Sequence, residues 1–209
     1  MDRSSALLWA AIASVCGVLL VGAYYGTRLT LEAEPTAATR SAGSLDAGRF
    51  ARYVAPASYC PGADDAGASG PAQEQVQLCL LNYARGVEGL GPLNVSPQLM
   101  RSAQLKAADI VRCGDFEHDA CGLEVRQRFA DSGYFDVAAD TAYGENLAWG
   151  DAQAGSPRGA LLGWLESREH RENLFKPDWT EQGIAFAYAP RFRGVANSRI
   201  WVSHFGRHG

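Results

Sequence analysis

The sequence predicts an α+β layered domain, and three observations predict it. Stretches of helical apolar spacing run from residue 72 to about 173. Period-2 alternation then closes the chain, at 183–188 and 199–205. All of this comes after a long stretch rich in Ala, Ser, Thr, Gly and Pro that has no sustained period. Helices first and strands last point to segregated layers around one core.

The first helix is expected over 72–88, where Val76, Leu80, Tyr83 and Val87 make one apolar stripe. Gly89 and Gly91-Pro92 end it. A second helix starts at Ser96-Pro97, a cap followed by proline at the first helical position, and continues through Leu99, Ala103, Leu105, Ala107 and Ile110. A third runs from about Leu123 to Ser132 and stops at Gly133. The fourth opens at Ser156-Pro157, passes Leu161, Leu162, Trp164 and Leu165, and ends between Ser167 and Asn173. Residues 183–188 and 199–205 read as antiparallel partners, joined by a polar connection over 189–198 that contains Pro190 and Gly194. A short strand is expected near 145–149.

The chain has 209 residues, 47% of them apolar and 20% charged, with a formal net charge of −4. That balance excludes a disordered or fibrous chain. It also lacks the Lys/Arg excess of a nucleic-acid binder, so no nucleic-acid partner is expected. Residues 71–209 hold all four histidines and carry a slight acidic excess, with no strong pull toward anionic lipid.

Residues 6–25 are nearly all apolar, and no charge falls between Arg3 and Arg28. At about 1.5 Å per residue such a helix crosses the hydrocarbon core of a bilayer. Two readings of residues 1–27 stay open: an uncleaved membrane anchor, or a signal peptide cut after Val21-Gly22-Ala23. Either one exports the chain beyond Arg28. Residues 28–70 read as a flexible linker or stalk, with Phe50, Tyr53, Val54 and Tyr59 able to dock near Cys60. Residues 71–209 form the functional domain. Apart from Cys16, the exported part holds Cys60, Cys79, Cys113 and Cys121. An even count in an exported chain reads as two disulfides. The short loops favour Cys113–Cys121 and Cys60–Cys79 over the two other connectivities.

From Gln73 onward the motifs fall in a familiar order. Asn82, Arg85, Leu90 and Leu93 lie in L-L-N-Y-A-R-G-V-E-G-L-G-P-L; Phe116-Glu117-His118 and Gly133-Tyr134 come after it. Then come Gly144-Glu145-Asn146-Leu147-Ala148, the run Trp164-L-E-Ser167-R-E-His170-R-E-Asn173-Leu174, Asp178-W-T-E-Gln182-Gly183, and a closing W-V-S-H-F-G from Trp201. Over residues 73–206 this resembles the CAP superfamily (cysteine-rich secretory, antigen 5 and pathogenesis-related 1 proteins), in its bacterial exported branch. The resemblance implies a three-layer α-β-α sandwich with a small antiparallel sheet. It also implies a cleft where His118, Glu145 and His170 converge, with Ser167 where many eukaryotic members place a second glutamate. Glu166 lies four residues before His170 and would share its face in an unbroken helix.

Two imidazoles and a carboxylate could hold zinc or another divalent ion and leave a position for water, so His118, Glu145 and His170 are the candidate metal ligands. Glu145 or Glu166 would then be the candidate base. No G-x-S-x-G or H-E-x-x-H is present. The leading expectation is therefore a non-catalytic, extracytoplasmic binding module. Its cleft would take a lipid or other small hydrophobic molecule, a peptide, a cell-wall fragment or a metal, and residues 6–25 would attach it to the membrane if uncleaved. The alternative is a divalent-metal-dependent hydrolase of peptide or wall material. Plainer roles stand beside these. Asn82, Arg85 and Asn146 fit scaffold, the tryptophans fit core, and Arg191, Arg193 and Arg199 fit a solvated hairpin. His204 is expected in solvent, on the reading that it and Val202 face opposite ways.

Overall fold

Two serine-proline pairs set the frame. The computed structural model describes residues 46–136 and 140–209; residues 1–27 and 28–45, including Cys16, lie outside the described residues. Ser96 and Ser156 each accept a backbone N–H from the third residue beyond, and proline comes directly after each. The caps start α2 (Pro97–Cys113) and α4 (Pro157–Glu166) at the positions the sequence marks. Before α2 lie α1 (Gly70–Val87) and the two-residue β1 (Asn94–Val95). α3 (Val125–Asp131) and β2 (Thr141–Gly150) come after α2. α5 (Arg168–Leu174), β3 (Glu181–Phe192) and β4 (Val195–His208) complete the chain.

The sheet order is β1-β3-β4-β2. It is antiparallel except at the edge, where β1 pairs parallel to β3 through Asn94 and Val95. Alternation along β4 sends Trp201 and Phe205 into a core with α1 and α4. Ile200 and Val202 go into a second core with Ala103, Ala107 and Ile110 of α2. The sheet is thus the middle of three layers, as the α-β-α expectation requires.

Three expectations are corrected. Residues 189–198 are not a long loop: both strands run on to a two-residue turn, with Arg193 and Gly194 at φ +46° and +86°. Two positive φ values match the right-handed twist of a hairpin. Pro190 is tolerated because β1 covers β3 only at Glu181 and Gln182, which leaves proline on an edge. The fourth helix is two helices. Ser167 has extended ψ (130°), and its side chain accepts the His170 N–H, so the same residue ends α4 and caps α5. The boundary at residue 71 also moves. Phe50, Tyr53, Ala55, Cys60 and Ala63 are buried in the α1/α4 core, and the Cys60–Cys79 disulfide fastens this segment to α1.

Arg85 explains how the segments around α1 hold together. It is 1% exposed and donates to the carbonyls of Gly91 (3.2 Å), Leu174 (2.8 Å), Lys176 (3.1 Å) and Trp179 (3.5 Å). Asn82 acts alongside it, exchanging hydrogen bonds with Leu93 N–H and C=O. Replacing Arg85 with Met keeps much of the volume and leaves those carbonyls without their donor. A loss of about 3 kcal/mol is expected by urea unfolding, from buried acceptors stripped of a charged partner. A loss below about 1 kcal/mol would show that water replaces the guanidinium freely.

Candidate functional site

The site grows from the C-terminal half of α2. Gly114 ends the helix in the left-handed region, φ +66°. The loop after it returns to the helix through the Cys113–Cys121 disulfide, with Cα atoms 5.5 Å apart. Inside that loop, the buried Lys106 ammonium donates to the His118 carbonyl and fixes the backbone at that residue. The His118 ring then meets Glu145 of β2, Nδ1 to Oε1 at 2.6 Å. Its side chain stays 59% exposed, against 3% for Glu145.

Glu145 has a second partner. β2 and β4 pair Glu145 directly with His204, and the two side chains share a face. His204 Nε2 lies 2.8 Å from Glu145 Oε2, and His204 Nδ1 lies 2.7 Å from Ser102 Oγ of α2. Phe129 of α3 stacks on the His204 ring, centroids 4.3 Å apart. A string of polar groups, Ser102–His204–Glu145–His118, therefore runs from the sheet–α2 interface to the surface.

Gly183 makes the string possible. It is the β3 neighbour of His204. A Cβ there would lie 2.1 Å from the Leu99 carbonyl carbon, so only glycine lets α2 press onto the sheet at this point. Ser102 sits one helical turn further along.

The electrostatics derive from the geometry. Burial alone would raise the Glu145 carboxyl, but hydrogen bonds from His118 and His204 outweigh it and hold the group below the usual carboxylate range. The bond to Glu145 raises His118 against the effect of burial. His170 moves the other way, lowered first by burial and then by the charge of His118.

His118 and Glu145 meet directly, and α5, which carries His170, is tied to β2 through Asn146 and Asn173. Asn146 Nδ2 donates to the His170 carbonyl at 2.9 Å, and Asn173 Nδ2 donates to the Glu145 carbonyl at 3.2 Å. Asn146 serves the backbone. Ser167 caps α5, accepting the His170 N–H, and its hydroxyl donates to Glu169 at 3.1 Å. Glu166, cut off by the break at Ser167, lines a separate depression with residues 46–50. A cavity of about 310 Å³ opens beside His118, lined also by Asp119, Glu124, Val125, Arg126 and Tyr143.

The expected metal set does not fit direct coordination by Glu145. Each of its oxygens already faces an imidazole nitrogen. Among the described residues no three His, Cys, Asp or Glu side chains are gathered as a metal-holding group. His204 corrects the sequence reading outright: it is 0% exposed. Residues two apart on a strand share a face, so Val202 and His204 both point at α2. That rule could have flagged His204. Nothing in the sequence points to Ser102, which meets His204 across 102 positions.

Comparison with known proteins agrees with this architecture. The model of the family described as "CAP: Cysteine-rich secretory protein family" matches residues 78–205. An uncharacterized protein of Bacillus subtilis (strain 168), YkwD, is 27% identical over 176 residues, which is 84% of this chain. The chain spans 63% of that relative's length. An extracellular SCP-domain protein from Bacillus anthracis str. Ames superposes with a TM-score of 0.53 at 24% identity, over 66% of this chain and 41% of that one. An outer surface protein from Borrelia burgdorferi gives 0.51 at 20% identity, over 65% and 92%.

Proposed function

The chain belongs to the CAP, or cysteine-rich secretory protein, family, and from that premise we propose that it is an exported binding module rather than a hydrolase. Its ligand, a small hydrophobic molecule, a peptide or a cell-wall fragment, enters the cavity beside His118. Residues 6–25 carry it across the membrane and, uncleaved, anchor it there; the mass of the mature protein checks this. The Bacillus anthracis and Borrelia burgdorferi neighbours are described as an extracellular and an outer surface protein, which supports an extracytoplasmic location.

The observation that carries the reading is the engagement of Glu145. Both of its oxygens accept from imidazoles, at 2.6 and 2.8 Å, so it orients His118 and is not a free base over the cavity. Two measurements test this. Mass spectrometry of material extracted from protein purified out of its native host is expected to find a bound small molecule or fragment; empty protein counts against it. Calorimetry with zinc, paired with assays on peptide and wall substrates, tests the hydrolase alternative. Zinc affinity together with turnover, both lost in His118→Ala/His170→Ala, would replace the binding reading with the hydrolytic one.

A further inference from the structure

The residues behind Glu145 decide what His118 offers to a ligand. A carboxylate only accepts hydrogen bonds. The nitrogens that face Glu145 must therefore both carry hydrogen, Nδ1 on His118 and Nε2 on His204. A neutral imidazole has one N–H. Neutral His118 bonded in this way has a bare lone pair on Nε2, and its ring borders the cavity.

We propose that Ser102 and His204 are positioning residues which, acting through Glu145, hold His118 as the Nδ1–H tautomer and make its Nε2 an acceptor toward the ligand. The inference rests on the cavity beside His118 being the binding site. Three features set these two residues apart from ordinary core. Both are fully buried, so no water competes for Glu145 Oε2 or for His204 Nδ1. The Ser102 hydroxyl at one end and Glu145 at the other fix the His204 ring in one orientation, since turning it over would set carbon atoms against both partners. Phe129, stacked on its face, holds the ring plane. With Oε2 occupied in this way, Oε1 stays aimed at His118. That ring is 59% exposed and would otherwise turn freely. The ligand atom that meets neutral His118 is then a donor, a hydroxyl or an amide N–H.

The test is nitrogen-15 NMR of histidine-labelled protein, read above the His118 titration with His118→Gln used for assignment. The expected wild-type spectrum shows His118 with a protonated Nδ1 and a bare Nε2. In His204→Leu the two ring-nitrogen shifts should converge toward the averaged pair of a free histidine. His204→Gln should restore the separation, because its amide N–H reaches Glu145 and its carbonyl accepts from Ser102. Ser102→Ala should fall between the two. A protonated Nε2 on wild-type His118 overturns the proposal. So do unchanged His118 shifts in both His204→Leu and Ser102→Ala. If His204→Leu does not fold, the contrast between Ser102→Ala and His204→Gln decides. A wild-type tautomer as expected, in protein that carries no ligand, would fail the binding reading alone and leave the positioning role standing.

Discussion

Glu145→Ala is expected to cost about 3 to 5 kcal/mol in urea unfolding, the range found when one member of a buried pair is removed. The damage spreads in three directions. His204 keeps its burial but its Nε2–H loses its acceptor, which leaves the ring held only by Ser102 at Nδ1. Lys106, itself 1% exposed and lowered by burial, loses the carboxylate that most favours its charge. His118 is left with only its carbonyl held in the loop. Glu145→Gln, nearly the same shape, should be damaging too, because its amide N–H is set against an imidazole N–H.

The pH profile separates this account from a simple cavity. Glu145 is depressed in the folded protein, so its contribution is present above the ordinary glutamate range and is lost as pH falls through the depressed value. His118 is raised, so its contribution is complete below the ordinary histidine value and is lost as pH rises through the raised one. Wild-type stability should therefore decline on both sides of a window. Asp109, held low against burial by Arg128 and Arg112, adds to the acid side. The alkaline side is the clean readout. In Glu145→Ala that decline should vanish, and a variant that keeps it contradicts the pairing.

Gly183→Ala should be comparably severe for one methyl group. Its Cβ would stand 2.1 to 2.4 Å from the backbone of Leu99 and Met100, so no side chain can swing aside. Relief requires α2 to lift from the sheet. That opens the core of Ala103, Ala107 and Ile110 and separates Ser102 from His204. Overpacking of this kind costs about 3 kcal/mol or more. Gly163 of α4 is the control. A Cβ there meets nothing within 4 Å, and alanine in a helix interior gains about 0.5 to 1 kcal/mol over glycine. Thermal unfolding of the two variants should move in opposite directions; equal shifts would remove the steric argument.

The parts of the fold that sequence alone makes readable depend on nearest-neighbour chemistry. Ser96-Pro97 and Ser156-Pro157 mark helix starts because cap and proline act within one turn. The two disulfides are expected from short closures in an exported chain, and both are present. Ser167 misleads for a related reason. Its capping power looks like a helix end, yet it also begins α5, which sends Glu166 away from His170. The hairpin at Arg193-Gly194 hides because a non-glycine residue takes a positive φ there. The strand repeat puts His204 on the face of Val202, and covering of that face by α2 then buries it. Ser102 and Lys106 are invisible to local rules: Ser102 needs the glycine at 183, and Lys106 needs the loop that closes over it. In the site, the motifs named the visible histidines and the carboxylate, and tertiary packing supplied the groups that aim them.

The Cys60–Cys79 bond has a mechanical consequence. Tension applied to the chain ahead of residue 46 can peel away the turn at Gly48–Tyr53 only as far as Cys60. Beyond that point the load passes along a covalent bond into α1, on the face of the sheet opposite His204. A pull from the N-terminal side would therefore leave the His118 cavity, across the sheet, off the load path.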